Sequence, residues 1–295
     1  HIGGTLVITG GGLTNIGVPI ATTYGTLTIT GVSLATGVVD YSYTLSANTI
    51  DHGPANDGQD SVLDNIAVSL TDTDGSSDTS TLVVTVVDDV PTAVLETDSV
   101  TEDGPLTTTG NVITGIDPGP DANGTDGVAD TAGADGIASI AWTGQAAGQV
   151  AGLYGTLTVL ADGRYSYLLN NALASVQGLA PLDAPLEDVF TYTITDGDGD
   201  TSLATLKILV NGADDGVTIT GINAAGGDET VDEDDLPAGS SPLPAALTQT
   251  GTFTVSAPDG FNNLDIGGTL VITGGAVTNI GVPIATTYGT LTITG

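Results

Sequence analysis

"VFTYTITDGDGDTSLATLKILV" occupies residues 189–210 and contains two stretches in which Val, Thr, Tyr, Ile and Leu alternate, separated by Asp and Gly. An alternation with a period of two is typical of a strand that has one buried face and one solvent face. Asp-Gly pairs are common in the turns of β-hairpins. The stretch therefore predicts two antiparallel strands joined by a turn that carries Asp196, Asp198 and Asp200.

The same alternation recurs along most of the chain. It appears in "TLVVTVV" (residues 81–87) and "YGTLTV" (residues 154–159), and Gly, Asp, Asn or Pro bound such stretches. One segment, "NNALASVQGL" (residues 170–179), instead predicts a short helix that begins at an Asn and ends near a Gly. We therefore expect an all-β protein built from antiparallel β-sandwiches.

The two ends of the sequence are near-identical. Residues 265–295 repeat residues 1–31 with three differences, at His1, Gly12 and Leu13, and the copies lie 264 residues apart. Self-similarity at a fixed period is the signature of a tandem array. We expect the natural protein to be a longer array, of which this sequence holds one period and an overlap.

A weaker repeat inside this period predicts the domain boundaries. "YGTLTV", "RYSYLL" and the hairpin quoted above follow in the same order as "YGTLTI", "DYSYTL" and "IAVSLTDTDGSSDTSTLVVTVV". Residues 93–216 are expected to form one complete sandwich. Residues 1–92 are the later part of another, completed by the preceding repeat, and residues 217–295 are the earlier part of the next, completed by the following repeat. Residues 217–264 of one copy should then pack against residues 1–92 of the next.

The composition favours cations as partners. The chain has 36 acidic residues against two basic ones, which gives a formal charge of -34. Such an imbalance repels nucleic acid and anionic membrane surfaces and attracts positive ions. The chain has no Cys, so disulfides and thiolate metal sites are excluded. Its apolar stretches are interrupted by polar residues, so membrane insertion is not expected.

Catalysis is not expected either. A hydrolase or transferase needs a nucleophile with a base, or paired acids in a pocket. Here the acids cluster in turns and linkers, the chain has two His, and it contains no G-x-S-x-G, H-E-x-x-H or P-loop motif. The sequence therefore favours a non-enzymatic role.

The ordered elements "YGTLTV", "DGRYSYLLNNALASVQGL" and "FTYTITDGDGDTSLATLKILVNGADD" resemble the VCBS repeat, an immunoglobulin-like or cadherin-like module of giant bacterial RTX-type adhesins exported by type I secretion. The resemblance covers residues 93–216 well. The other unit is similar more loosely, with Asp72, Asp74 and Asp78 in its hairpin. The resemblance implies tandem Ig-like sandwiches in an elongated array, forming an extracellular, calcium-loaded stalk at the bacterial cell surface that supports attachment or biofilm.

The Asp-rich turn is the first candidate metal site. Aspartates spaced two apart in a turn can converge on one Ca²⁺, which accepts about six to eight oxygen ligands. An EF-hand is excluded because Lys207 stands where its Glu would be, and a hairpin turn with exposed acids and no metal is the alternative. Topology places the turn at residues 196–200 at the start of its sandwich, beside Asp88 and Asp89, with Asp64 contributed by the preceding domain.

A second junction is predicted at the other end of the same sandwich. Glu102 and Asp103 come about ten residues into the first strand region, which is about 30 Å along the sandwich. They should lie near Asp214 and Asp215, where Glu187 and Asp188 should also be. The predicted Ca²⁺ ligands are, in chain order, Asp64, Asp72, Asp74, Asp78, Asp88, Asp89, Glu102, Asp103, Glu187, Asp188, Asp196, Asp198, Asp200, Asp214 and Asp215.

The expected function is that of a structural extender in a repetitive extracellular adhesin or fibre, with linkers stiffened by Ca²⁺. Its partners would be neighbouring copies of the same repeat, arranged head-to-tail, and surface glycans or matrix. Two alternatives stay open. One is a self-assembling extracellular matrix or surface-layer filament. The other is an Ig-like module that binds a glycan or a protein directly, for which residues 117–136 are the best-placed loop.

Overall fold

A computed structural model describes residues 1–46, 61–116 and 128–295. By compactness the chain divides into one unit of His1–Asp98, Thr107–Leu168 and Asp188–Ile208, and a second of Ser99–Leu106, Leu169–Glu187 and Leu209–Gly295. The fold is all-β, an array of antiparallel sandwiches, as the alternation of the sequence predicts. Among the described residues, no helix is long and apolar enough to span a membrane.

Eight strands between Glu96 and Asn211 form one sandwich, called the complete sandwich below. They are β8 (Glu96–Thr101), β9 (Thr107–Asn111), β10 (Ile137–Trp142), β11 (Gln149–Ala151), β12 (Gly155–Val159), β13 (Arg164–Leu169), β14 (Leu186–Asp196) and β15 (Thr201–Asn211). They lie in two four-stranded sheets, in the orders β10-β14-β15-β8 and β11-β12-β13-β9. The hairpin predicted from residues 189–210 is therefore confirmed as β14 and β15.

Alternate residues of this hairpin form the core, because successive side chains of a strand point to opposite faces. Tyr192 and Ile194 of β14 and Leu206 and Ile208 of β15 are fully buried. The single Trp142 packs on Tyr192 with ring centroids 5.1 Å apart. Aromatic rings in these strands therefore serve packing.

The two basic side chains lie in strands of this sandwich. Arg164 begins β13 and forms an ion pair with Asp162 at 2.8 Å. Lys207 stands within β15, between the buried Leu206 and Ile208. Both positive charges are thus carried by ordered strand positions.

The first sandwich shows seven strands in residues 1–46 and 61–92. Its described strands are β1 (Ile8–Thr9), β2 (Gly12–Leu13), β3 (Pro19–Ala21), β4 (Gly25–Val32), β5 (Val39–Leu45), β6 (Ser61–Thr71) and β7 (Ser77–Val87). They form the sheets β3-β4-β5, β6-β7 and β1-β2. Leu27, Ile29 and Ile66 are at the centre of its core. Strands β3 to β7 follow the order of β11 to β15, so the internal repeat of the sequence is also a repeat of structure.

The remaining strands, β16 (Thr218–Thr220), β17 (Thr254–Ser256), β18 (Asn263–Ile266), β19 (Thr269–Thr273), β20 (Ala276–Val277), β21 (Pro283–Ala285) and β22 (Thr290–Thr292), form three small sheets. Two 3₁₀ turns cover Glu233–Asp235 and Pro244–Leu247.

The two near-identical segments share part of their strands. Strands β20 and β21 lie 264 positions after β2 and β3, residue for residue. Asn15 and Asn279 have the same left-handed backbone, with φ of 51° and 54°. Strand β19 is longer than its counterpart β1, and β22 is shorter than β4, so the near-identity of sequence is matched only in part by local structure.

The helix predicted over Asn170–Leu179 is not formed, and that prediction was wrong. The segment is a series of turns in which the Leu173 carbonyl accepts hydrogen bonds from Val176 N and Gln177 N. A helix of about ten residues is only marginally stable unless tertiary packing stabilises it. The buried Val176 and Leu179 are instead reached by turns.

Candidate metal centre

Carboxylates from three parts of the chain meet at the turn between β14 and β15. Asp88, Asp198 and Asp200 each offer an oxygen, and these oxygens all lie within 4.8 Å of one another. Asp135, Asp196 and Asp198 form an overlapping group by the same measure. Topology predicted that Asp88 would meet this turn, and the structure brings them together.

The turn is held by its own hydrogen bonds. Asp196 Oδ1 accepts from Gly199 N at 3.0 Å and from Asp200 N at 2.7 Å. Gly199 has φ of 113°, a conformation that residues with a Cβ rarely adopt. These contacts fix the backbone of the turn on both sides of Asp198.

Asp196 shows that this group fits a cation. It is 1% exposed, and its Oδ2 is buried without a hydrogen-bond partner among the described residues. Burial, followed by the neighbouring Asp198, raises the pKa of Asp196. A buried oxygen that faces other carboxylates is costly unless positive charge offsets it. Clustered hard oxygen donors of this kind suit Ca²⁺, which would be held by Asp88, Asp135, Asp196, Asp198 and Asp200.

The hairpin turn of the first sandwich is built differently. Asp72 Oδ1 accepts from Asp74 N and Ser76 N at 3.1 and 2.9 Å, and Asp78 Oδ1 accepts from Thr79 N. All three aspartates are exposed. The residue of this hairpin that corresponds to Asp200 is Ser76, which lies 124 positions earlier. This turn therefore has no carboxylate at its third position. Their metal binding stays a prediction.

Asp64 lies elsewhere than predicted. Its two oxygens accept hydrogen bonds from Thr23 N at 3.3 Å, Tyr24 N at 3.1 Å and Tyr43 Oη at 2.8 Å, all within its own sandwich. Burial opposes its ionisation, but these bonds and one from Thr22 outweigh burial and lower the pKa of Asp64. Asp64 therefore ties strands of its sandwich together instead of completing the junction.

Asp188 does the same work in the complete sandwich. It accepts from Leu153 N at 2.6 Å, Tyr154 N at 3.1 Å and Tyr167 Oη at 2.6 Å. It is 1% exposed, and its position corrects the expectation that it joins the second junction. Its neighbour Glu187 is exposed on the opposite face of β14, and Asp89 is exposed next to the buried Asp88.

A second acidic group contains Glu102, Asp103, Asp215 and Asp259. Glu102 is fully buried and its Oε1 accepts from Ala213 N at 2.9 Å. Burial raises the pKa of Glu102 first, and repulsion by the three aspartates adds to it. Among the described residues, Glu102 Oε2, Asp215 Oδ2 and Asp259 Oδ1 are buried without a hydrogen-bond partner. The predicted meeting of Glu102 and Asp103 with Asp215 is therefore present.

The remaining contacts of this group are hydrogen bonds. Asp103 Oδ1 accepts from Asn171 Nδ2 at 2.6 Å and from Gln177 Nε2 at 3.3 Å. Asp215 N donates to Asp259 Oδ2 at 3.2 Å. Asp214 is exposed and its Oδ1 accepts from Gly216 N. Asp214 therefore stabilises a local turn.

Sequence reasoning missed Asp135 and Asp259. Each precedes a glycine in a loop outside the hairpins, and that Asp-Gly pair was the available signal. It also missed Glu96, which is 2% exposed on β8 and accepts from Val128 N at 2.9 Å through Oε2. Burial raises the pKa of Glu96 to about 7, and the nearby Asp130 adds to this effect.

Three solved structures are similar to this chain at low sequence identity and low TM-score. Domains 1–4 of protocadherin gamma B7 are 14% identical, with 81% of this chain and 49% of that chain covered and a TM-score of 0.32. Mouse clustered PcdhgC3 EC1–3 is 14% identical, with 65% and 51% covered and a TM-score of 0.25. The extracellular domain of protocadherin gammaB4 is 12% identical, with 71% and 29% covered and a TM-score of 0.27. The chain thus spans about half, or less, of these structures.

No curated protein matches the sequence. One family model does, that of the bacterial cadherin-like domain, over residues 88–212, which is less than half of the chain. Cadherin-like domains are extracellular, non-enzymatic structural modules of the adhesion type. The matched range coincides with the complete eight-stranded sandwich and includes Asp88 and the Asp-rich turn. The match therefore supports a cadherin-like, Ig-type repeat over residues 88–212.

Proposed function

We propose that the chain is a structural extender of a repetitive bacterial surface adhesin or fibre, and that Ca²⁺ stiffens the junctions between its sandwiches. Attachment or biofilm, and export by type I secretion as in RTX-type adhesins with VCBS repeats, belong to the same proposal. In the alternative, an Ig-like module would bind a glycan or a protein through the loop of residues 117–136, of which 117–127 lie outside the described residues.

The observation that carries the proposal is the position of Asp196. Oδ2 of Asp196 is buried, and Asp135 and Asp198 lie beside this carboxylate. Asp88, which follows the last strand of the preceding sandwich, lies at the same turn. An ion bound there would join the linker after β7 to the next sandwich. It would replace repulsion between carboxylates by attraction to a shared charge.

The test compares two aspartates at equivalent positions of the two hairpins. Asp196→Asn keeps an oxygen for the bonds from Gly199 N and Asp200 N, but puts an amide where Oδ2 faces the other carboxylates. Asp72→Asn, 124 positions earlier, is the matched control on an exposed turn.

We expect millimolar Ca²⁺ to raise the melting temperature of the wild type and of Asp72→Asn, since an ion that binds the folded state stabilises it. Sodium at matched ionic strength should not. Titration calorimetry should show the loss of at least one Ca²⁺ equivalent in Asp196→Asn. Calcium binding by Asp196→Asn equal to that of the wild type would refute the assignment of this site.

A further inference from the structure

In residues 1–46 and 61–92, the first sandwich has no counterparts of two strands that the complete sandwich has. In the complete sandwich β8 pairs with β15 and β9 pairs with β13. Within the described residues, the equivalent strands β7 and β5 have one partner strand each, β6 and β4 respectively. Two sheet edges of the first sandwich are therefore open in the described structure, and open edges are templates for pairing with another strand.

Apolar side chains near the open β5 edge are exposed where their equivalents are buried. Tyr41 is 50% exposed, whereas Tyr165, 124 positions later, is 4% exposed. Leu45 is 48% exposed, whereas Leu169 is 3% exposed. The two sandwiches share the sequence pattern of this strand, "YSYTL" and "YSYLL". The difference in burial therefore reflects missing neighbours and not a different strand.

The missing strands have sequence counterparts later in the chain. "LTQTG" (residues 247–251) matches "LTTTG" (residues 106–110), which leads into and forms most of β9. "GDETVDED" (residues 227–234) matches "ETDSVTED" (residues 96–103), which contains β8. In the described structure none of residues 227–232 or 248–252 belongs to a strand. The chain thus carries two strand-like segments without strand partners.

The complete sandwich shows how strands formed by these two segments would bind a tyrosine side chain. Tyr165 and Gly110 are directly opposed on β13 and β9, and a Cβ at Gly110 would come within 2.7 Å of the ring carbon Cζ of Tyr165. The hydroxyls of Tyr165 and Thr108 both donate to Asp98 Oδ2 at 2.8 Å. Glycine at position 110 therefore makes room for the ring, and Asp98 accepts its hydroxyl.

Each of these groups has a counterpart in the unpaired segments. Gly251 corresponds to Gly110, and Glu229 corresponds to Asp98. A Cβ at Gly251 would contact Glu229 Oε1, so the carboxylate already lies over the glycine. The missing component is a tyrosine, and Tyr41 is the equivalent tyrosine that lies exposed.

We propose that residues 227–232 and 248–252 of a second copy of this repeat add as strands to β7 and β5 of the first sandwich, with the Tyr41 ring on Gly251 and its hydroxyl donating to Glu229. The second copy is the occupant because its segments match, position by position, the strands that fill the same places in the complete sandwich. The inference rests on the proposed role as a repeating structural module but not on calcium.

Self-association of the full chain tests this inference. Light scattering after size exclusion should show a mass that rises with concentration. Gly251→Val should weaken association at least tenfold, because the added side chain occupies the place of the Tyr41 ring. Its own fold should survive, since the atom it meets is the mobile end of Glu229. Leu182→Ser, at a side chain 99% exposed, is the control and should associate as the wild type does.

A chain that stays monomeric at high concentration, or a Gly251→Val variant that associates like the wild type, would overturn the inference. Circular dichroism and the melting temperature of the whole chain check that each variant is folded. Calcium binding measured on the same samples separates the two proposals. Association with no calcium binding would refute only the calcium junction, and calcium binding without association would refute only the strand addition.

An engineered disulfide identifies the occupant, because the natural sequence has no Cys. Tyr41→Cys combined with Gly251→Cys places thiols at positions whose equivalents are opposed strand partners. Oxidation should give dimers and larger oligomers on non-reducing gels. Tyr41→Cys with Leu182→Cys is the control and should give few. A disulfide within one chain would show that the chain's own segment fills the site, and no disulfide would show that neither does; both results overturn the inference.

Discussion

Replacing Glu96 by Gln should stabilise the complete sandwich at alkaline pH and have little effect in acid. The pKa of Glu96 is raised from its ordinary 4.5 to about 7 because the side chain is buried, with Asp130 nearby. The folded state therefore holds a proton that the unfolded state releases between these pH values. The associated stability is fully present below pH 4.5 and is lost as the pH rises through about 7.

The size of the effect follows from the difference between the two pKa values. At about 1.4 kcal/mol per pKa unit, the unfolding free energy of the wild type falls by about 3 kcal/mol between pH 4 and pH 8 through this group. Gln is neutral at every pH and keeps an oxygen for Val128 N, the donor to Glu96 in the wild type. At pH 8 the variant should therefore melt higher by roughly 10 °C.

Urea unfolding followed by the fluorescence of the single Trp142 measures this difference, because that ring packs on Tyr192, whose hydroxyl donates to Asp130. Glu233→Gln removes the same charge from an exposed position and controls for net charge. Equal stability of wild type and Glu96→Gln at pH 8, or an advantage that does not shrink towards pH 4, would refute the reasoning.

Three further predictions concern the core and the junction. Tyr167→Phe should lower the unfolding free energy by about 1–3 kcal/mol, because Asp188 would lose a buried hydrogen-bond donor at 2.6 Å. Tyr43→Phe, which removes the equivalent donor to Asp64, should lower it less, because Tyr43 is half-buried and water can reach this site. Denaturant unfolding compares the two variants. Gly155→Ala should cost about 2–3 kcal/mol, because the new Cβ would clash with the carbonyl of Leu168 and the ring of Tyr167, and a normal melting temperature would contradict this. Asp198→Asn in the presence of calcium should broaden the distance distribution from small-angle X-ray scattering more than it lowers the melting temperature, and an unchanged distribution would count against a stiffening role.

The hairpin and the first acidic group could be predicted because both follow from simple geometry. Alternation along residues 189–210 determines which side chains are buried, and a hairpin necessarily places its turn at one end of the sandwich. Asp88 directly follows strand β7 and so lies at that same end. The meeting of Asp88 with Asp198 and Asp200 therefore needs no knowledge of loop conformation.

The errors arose where side-chain partners depend on loops. Asp188 shares the parity of Phe190 and Tyr192, so alternation alone places it on the buried face. Its role depends on the backbone of Leu153 and Tyr154, which a distant loop presents. The same holds for Asp64. The predicted helix at Asn170–Leu179 failed because ten residues with suitable ends do not outweigh the turns that bury Val176 and Leu179.

The position of the two basic residues bears on the survival of the protein outside a cell. Trypsin-like proteases cut after Lys or Arg, and in all 295 residues they find two such peptide bonds, after Arg164 and after Lys207. Both bonds lie within strands of the complete sandwich, so a protease can cut them only after local unfolding. Cleavage by these enzymes is therefore governed by the stability of that one sandwich, while residues 1–163 and 208–295 offer them no substrate whether folded or unfolded.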